Sequence, residues 1–397
     1  MDRPEPLALV LWTFAVRGFL LASQGHLFAW LRRRLRERGT AAAGWIAAGV
    51  AAVGLGLILY GDMFQLDVEL TGVLRREPGA VRYLADVWTA TAFAAYALLL
   101  AGGWVRRRWR RNSPSEAPAS PERRHLLETA ASAAVAAPLA IAGYGTYIGR
   151  TRFEVKETSL AIPGLPKDLD GIRIAQLTDM HVGPFLSPRE LETAVAMANE
   201  GKPHIAVVTG DIISQLGDPL DGALDVLARL RADSGVYGCM GNHENYAQCL
   251  GYAERYGGRK GIQFLRQDAR TLRFGDSLLN LAGVDYQRRT RPYLEGADQL
   301  IHPGAVNLLL SHNPDVFPEA EALGYDLVIS GHTHGGQVTV EIVEQTVNAG
   351  HFFTPYVVGE YRRNNAALYV SRGLGCVNLP MRIGAWPEVS LLKLESA

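Results

Sequence analysis

Hydrophobic positions along the chain change character near residue 150. Before it they form long, nearly unbroken stretches; after it they form short runs that stop at glycines, acids and histidines. The long stretches cover Leu7–Trp30, Ala41–Tyr60, Val87–Val105 and Thr129–Gly149. The last three carry no charged residue. Each stretch reaches the roughly twenty residues that a helix needs to cross the ~30 Å hydrocarbon layer of a membrane. Arg17 interrupts the first, although an arginine can face other helices or local water. The pattern predicts a helical membrane anchor of about four spans over residues 1–149.

Arginine placement predicts the orientation of that anchor. Arg32, Arg33, Arg34, Arg36 and Arg38 follow the first span, and Arg106, Arg107, Arg108, Arg110 and Arg111 follow the third. Such clusters stay cytoplasmic. Both connections are then inside, and everything after Gly149 lies outside. The segment Asn112 to Pro121, rich in serine, proline and alanine, reads as a flexible cytoplasmic linker. The fourth stretch has two readings. Arg123-Arg124-His125-Leu126-Leu127 before an alanine-rich run resembles a twin-arginine export signal, and Ala140-Ile141-Ala142 has the form of a signal-peptidase site. Retained or cleaved near Ala142, it leaves the second domain, residues 150–397, on the outer side of the cell membrane.

In that second domain the apolar runs read as strands. Ile172 to Leu177 ends in Thr178-Asp179-Met180-His181, and Ser187-Pro188-Arg189-Glu190 then supplies an N-cap, a first-turn proline and a capping-box glutamate for a helix reaching about Asn199. Ile205 to Val208 ends in Thr209-Gly210-Asp211, and a helix is expected near Leu220 to Leu230. Val236 to Met240 ends in Gly241-Asn242-His243-Glu244, Val306 to Leu310 in Ser311-His312, and Leu327 to Ile329 in Ser330-Gly331-His332-Thr333-His334. Continuous apolar runs fit strands covered on both faces, and strands alternating with helices predict a layered α/β fold. Ligands in such folds gather beyond the carboxyl ends of the strands. A lone histidine pair proves little. Five successive strand ends carrying metal-ligand chemistry are the argument.

These residues carry a resemblance. Asp179-x-His181, Gly210-Asp211, Gly241-Asn242-His243-Glu244, His312 and Gly331-His332-Thr333-His334 resemble the ordered signature of the calcineurin-like metallophosphoesterases, over roughly Gly171 to Gln337. Within that superfamily the membrane-attached organisation resembles bacterial phosphodiesterases of the YkuE and YaeI type. The resemblance implies a two-sheet β-sandwich flanked by helices with two metals at one edge. It implies that Asp179, His181, Asp211 and His334 hold one ion, that Asp211, Asn242, His312 and His332 hold the other, and that Asp211 bridges them. It further implies attack on phosphorus by a hydroxide between the ions, with His243 giving a proton to the leaving oxygen. Glu244 is expected to orient its neighbours.

The chemistry of the residue types agrees with that division. A shared carboxylate screens two nearby cations, and two divalent ions less two carboxylates and a hydroxide leave about one positive charge, which favours an anionic phosphate. Four imidazoles favour manganese, iron, zinc or cobalt over magnesium or calcium. The chain continues Asp211-Ile212-Ile213-Ser214 where protein phosphatases of the superfamily extend with Asp-Arg-Gly, which disfavours a protein substrate. Arg362, Arg363, Asn364 and Arg372 are read first as a solvated loop and second as a phosphate pocket. His351 is read in the same two ways.

Composition adds little to this. The 397 residues balance 40 basic against 40 acidic side chains, so no nucleic-acid partner is implied. Three cysteines, Cys239, Cys249 and Cys376, are too few and irregular for a disulfide framework and read as small buried hydrophobes. The expected function is hydrolysis of phosphodiester or pyrophosphate bonds, on a lipid-linked or cell-envelope substrate. The alternatives are a phosphomonoesterase and a non-catalytic membrane sensor or adaptor that kept the fold. A transporter is disfavoured, because the spans offer little polar pathway.

Overall fold

The computed structural model describes residues 6–37, 39–71, 79–112, 129, 133, 137, 138, 140–287, 293–342, 345–377 and 379–397. Two compact units divide the chain, helices α1 (Pro6–Glu37), α2 (Ala43–Thr71) and α3 (Gly79–Asn112) belonging to the first and residues 145–397 to the second. Among the described residues one segment, Val87–Val105, is long and apolar enough to cross a membrane, and Ala43–Leu59 is a shorter apolar helix. The second apolar stretch is helical. Its helix begins at Ala43 and, beyond Leu59, continues to Thr71 through the acidic residues Asp62, Asp67 and Glu69. The linker between Asn112 and Pro121 and the paired arginines Arg123 and Arg124 lie outside the described residues. Ala140-Ile141-Ala142 is helical.

Trp88 joins the three helices. Its indole nitrogen donates to Gln24 Oε1 of α1 at 3.2 Å, and its ring lies flat against α2 where Gly54 has no side chain to block it.

The second unit is built from two six-stranded sheets. One has the order β1 (Glu154–Ile162), β14 (Glu388–Ser396), β2 (Arg173–Leu177), β3 (Ile205–Thr209), β4 (Val236–Cys239), β5 (Ile262–Phe264). The other runs β12 (Gly359–Arg363), β13 (Ala366–Val370), β9 (Leu327–Ser330), β8 (Val306–Leu310), β7 (Ser277–Gly283), β6 (Asp268–Phe274). A short hairpin, β10 (Thr339–Ile342) with β11 (Gln345–Asn348), completes the strands. β2 through β5 are mutually parallel, as are β7, β8, β9 and β13. The expected fold is thus the observed one.

Alternation along the strands explains why both faces are apolar. Successive side chains point to opposite faces of a sheet. Ile205 and Val207 of β3, with Leu308 and Leu310 of β8 and Leu327 and Ile329 of β9, fill the layer between the sheets. Ala206 and Val208 face outward onto the helices Pro188–Glu200 and Leu220–Leu227, against Leu191, Val195 and Leu224. Leu309 and Val328 face outward on the other side, onto Phe317, Ala320 and Tyr325. The helix after β2 starts as the sequence predicts, since Ser187 Oγ accepts from the Glu190 amide and the Glu190 carboxylate accepts from the Ser187 amide at 2.7 Å.

Candidate metal centre

Parallel strands in both sheets end at one edge, and the residues that follow them converge there. β2 delivers Asp179 and His181, β3 Asp211, β4 Asn242 and His243, β8 His312, and β9 His332 and His334. The two sheets are tied together just behind this edge. The Gln176 amide, in the middle of an apolar run, donates to Thr209 Oγ1 at 2.8 Å and to the Ser330 carbonyl at 2.9 Å. The His312 Nδ1 proton goes to the Thr209 carbonyl at 2.7 Å, which leaves its Nε2 facing the site.

Backbone strain is concentrated in these residues. Asp179, His181, Asp211, His332 and His334 all have positive φ, between 48° and 75°. Left-handed conformations of this kind cost a non-glycine residue roughly 1–3 kcal/mol and persist where surrounding structure fixes them for a purpose. Two glycines make the crowding possible. A methyl group on Gly241 would overlap Asp211 Oδ1, and one on Gly331 would overlap Asp179 Oδ2.

The ligating atoms form overlapping groups. Asp179, His181 and His334 offer atoms within 4.8 Å of one another, as do Asp211, His312 and His332, and as do His181, Asp211 and His243. Asp211 Oδ2 lies 3.0 Å from His312 Nε2 and 3.6 Å from His181 Nε2, so a single oxygen faces a histidine of each of the first two groups. His334 Nε2 is 3.3 Å from Asp179 Oδ1. His181 Nε2 and His334 Nε2 lie 3.1 Å apart, and His332 Nδ1 lies 3.2 Å from His312 Nε2.

Protonation in this setting follows from burial and neighbouring charge. Burial pushes His181 and His334 well below the usual imidazole range, and neighbouring imidazoles and the Arg382 guanidinium push the same way, so both rings are neutral with a lone pair to give. Burial pushes Asp179 up to about 6. Burial also opposes charge on Asp211, but His312 and His243 outweigh it and hold the carboxyl well below its ordinary value. At His312 burial is likewise outweighed: the Asp211 and Asp179 carboxylates push it up to about 10. The space between these carboxylates therefore favours a cation.

The donor set fits divalent transition metals. The neutral imidazoles of His181 and His334 face each other Nε2 to Nε2 across 3.1 Å, and imidazoles gathered with carboxylates are the ligand types that suit such ions. Asn242 Oδ1 is buried with no hydrogen-bond partner among the described residues, which is the state of an oxygen reserved for another ligand. Glu244 is spent otherwise. Its carboxylate accepts the amides of Gly241, Asp211 and Ile212 at 2.7, 3.0 and 2.6 Å, so it fixes the loop that carries Asp211. His243 stacks edge-on against His181 at 4.6 Å between centroids, and its Nδ1 contacts the Ser214 carbonyl at 2.6 Å.

Several residues fall elsewhere than a phosphate-pocket reading requires. Tyr361 to Arg372 is largely strand: β12 and β13 form a hairpin, in which Arg363 and Asn364 bind Glu321 at 3.1 and 2.7 Å and Arg362 binds the Ala161 carbonyl at 2.6 Å. None of the three reaches the metal centre. Arg372 stays near it, its stem packed beside Gly335. His351 is exposed and belongs to none of the ligating groups.

Arg382 was invisible to motif reading. It is fully buried behind His334 and donates to the carbonyls of Gly375, Ala385 and Arg372 at 2.9, 3.0 and 2.9 Å, with His334 O at 3.4 Å. Its partners are mostly main-chain atoms from separate segments, with the His334 Nδ1 atom at 3.4 Å, so no local spacing announces it. Within the same unit the Arg382 amide donates to Gly145 O at 3.1 Å.

A family model described as calcineurin-like phosphoesterase matches residues 172–336. The chain is 29% identical over 262 residues to an uncharacterized metallophosphoesterase, YkuE, of Bacillus subtilis, covering 64% of this chain and 90% of that one. It is 30% identical over 251 residues to an uncharacterized metallophosphoesterase of Aquifex aeolicus, covering 61% and 91%. It is 30% identical over 310 residues to a transmembrane protein with metallophosphoesterase domain of Danio rerio, covering 72% and 67%.

Proposed function

The chain belongs to the calcineurin-like metallophosphoesterases, and from that premise we propose that it is a membrane-anchored, binuclear phosphohydrolase that cleaves phosphodiester or pyrophosphate bonds. The observation that carries the proposal is the position of Asp211 Oδ2, which faces His181 on one side and His312 on the other. In this reading Asp179, His181, Asp211 and His334 hold one divalent ion, and Asp211, Asn242, His312 and His332 hold a second. Two such ions supply Lewis acidity toward a phosphoryl oxygen and make water acidic enough to act as a nucleophile near neutral pH.

The protein's own contribution is placement. Glu244, through its three amide contacts, keeps Asp211 in its left-handed conformation. The Thr178 hydroxyl and the His332 amide orient the Asp179 carboxylate at 2.9 and 3.0 Å. His243 holds its Nδ1 proton on Ser214 O and so offers Nε2 as the atom that gives a proton to a departing oxygen.

The membrane part of the proposal rests on Val87–Val105 and on the Danio rerio relative described as a transmembrane protein. The 72% of this chain matched by that relative exceeds what residues 150–397 supply, so the similarity runs into the helical region. An enzyme held at a membrane with its catalytic unit outside meets lipid-linked and cell-envelope phosphates. The test is a screen of the purified full chain, loaded with manganese, against diesters, monoesters and lipid pyrophosphates. Turnover of diesters or lipid pyrophosphates, faster than of monoesters, is expected; turnover of monoesters alone would replace the diester reading.

A further inference from the structure

Ser214 stands between two histidines of different roles, His181 and His243. Its hydroxyl oxygen lies 3.1 Å from His181 Nδ1, and its main-chain carbonyl oxygen lies 2.6 Å from His243 Nδ1. The two rings meet edge to face, with centroids 4.6 Å apart. His181 Nε2 points the other way, 3.1 Å from His334 Nε2 and 3.6 Å from Asp211 Oδ2. A neutral imidazole with its lone pair on Nε2 carries its proton on Nδ1, so the Ser214 hydroxyl is placed to accept it. Ser214 thus offers one oxygen to each ring. Asp218 in turn holds Ser214. Its Oδ2 accepts the amides of Ser214 and Gln215 at 3.1 and 3.0 Å, and the residue is buried. Between them the chain turns at Gly217, whose φ of 95° is one that glycine adopts without strain. A side chain on Gly183 would come within 2.9 Å of Asp218 Oδ1, so the same carboxylate packs on the loop that follows His181. A single bridge between Val182 and Ile213 joins these two loops.

An imidazole that gives a lone pair to a cation needs its other nitrogen fixed, because that second contact sets the tautomer and the angle of the ring. An imidazole that passes a proton needs the same. Both requirements meet at one residue that fills neither role itself. We propose that Ser214 is a positioning residue for both histidines, its hydroxyl serving His181 as a metal ligand and its carbonyl serving His243 as the proton donor, and that Asp218 locks Ser214 in place. The proposal rests on the phosphohydrolase reading above. Substitution separates the two halves. The hydroxyl can be removed while the carbonyl stays, whereas removing the Asp218 carboxylate releases both.

Variants of the full chain test it by manganese titration and by kcat/KM on two diesters. Bis-p-nitrophenyl phosphate has a leaving group that needs no proton, and dibenzyl phosphate has an alkoxide that does. Ser214→Ala should weaken manganese binding about 10–100-fold, while the ratio of its rates on the two diesters at saturating manganese stays within about twofold of the wild-type ratio. Ser214→Thr keeps the hydroxyl and should restore the affinity. Asp218→Ala should weaken manganese binding and also lose at least about tenfold more rate on dibenzyl phosphate than on the nitrophenyl diester, because the carbonyl that aims His243 moves. Asp218→Asn keeps an oxygen to accept both amides and should lie nearer to wild type in both readouts. A general loosening of the fold would not sort the substrates by leaving group. Unchanged manganese affinity in Ser214→Ala, or equal losses on both diesters in Asp218→Ala, would overturn the proposal. Should Asp218→Ala fail to fold, Ser214→Ala and Asp218→Asn are read on their own by the same two measurements. A wild-type chain that binds manganese and hydrolyses neither diester would overturn the phosphohydrolase reading, and the titration of Ser214→Ala, which needs no turnover, would still decide the contact with His181.

Discussion

His243 Nδ1 lies 2.6 Å from the main-chain carbonyl oxygen of Ser214. A carbonyl only accepts, so the proton on Nδ1 is fixed and Nε2 is the nitrogen left to exchange one. The same ring stands edge-on to His181, within the reach of a ligating group that also contains Asp211. Proton donor and metal ligand are therefore the two roles open to it, and they are separable.

His243→Gln is expected to keep its metals and to lose roughly 10²–10⁴ in rate on a diester with a poor alkoxide leaving group. p-Nitrophenolate leaves without protonation, so the loss on a p-nitrophenyl diester should be much smaller. Rates on the two substrates and metal content by elemental analysis check this. Equal losses on both with metals retained would assign His243 to stabilising phosphoryl oxygens. Loss of an ion would make it a ligand.

Gly241→Ala places a methyl group on Asp211 Oδ1 and only 2.6 Å from the Asp211 amide nitrogen. The loop must move, and a displacement of the order of 1 Å at a reacting centre costs about 10²-fold in rate. The expected outcome is that loss in kcat/KM with a folded protein, read by circular dichroism beside the assay. A variant within a few fold of wild type would show that Asp211 does not need its present position.

Arg382, itself fully buried, spends its donors on main-chain carbonyls of Gly375, Ala385 and Arg372. Arg382→Ala strands those acceptors, and each buried unsatisfied group costs about 1–3 kcal/mol. Denaturant unfolding should show a loss above about 3 kcal/mol. A change within about 0.5 kcal/mol, the usual range of surface substitutions, would mean that the guanidinium is replaceable there.

The arginine clusters on either side of the apolar helices predict that residues 150–397 lie outside the cytoplasmic membrane. A reporter fused after Ala397 should be active when it is one that works only outside. Activity only from a cytoplasmic reporter would reverse the orientation and remove the argument for an envelope substrate.

The strand ends were legible because β3, β8 and β9 are covered on both faces, and their continuous β-branched and leucine runs stop where the polar chemistry begins. β1 was not legible. Glu154–Ile162 carries three charged residues and is half exposed; it is a strand because it pairs with β14 along its whole length, a contact between residues far apart in the chain. The hairpin of β12 and β13 reads as a loop for a related reason, since its polar residues Arg362, Arg363 and Asn364 hide a strand pairing, and Glu321 binds two of them. The roles of Gln176 and Arg382 are not legible in the sequence because most of their partners are supplied by distant segments of the chain. In the helical region apolar composition does not mark the helix ends, since the helix of the second stretch runs on past Leu59 to Thr71.

The shared carboxylate is the centre of the account, and Asp211→Asn beside the wild-type chain tests it most directly. A neutral amide bridges two cations poorly and leaves their repulsion less screened. The measurement is metal content together with hydrolysis of bis-p-nitrophenyl phosphate, before and after chelation and with manganese restored. Two ions per wild-type chain are expected, with hydrolysis lost on chelation and recovered with manganese, and a variant that loses metal and at least about 10²-fold in rate together. A variant with two bound ions and near-normal turnover, or wild-type hydrolysis indifferent to chelation, would contradict it.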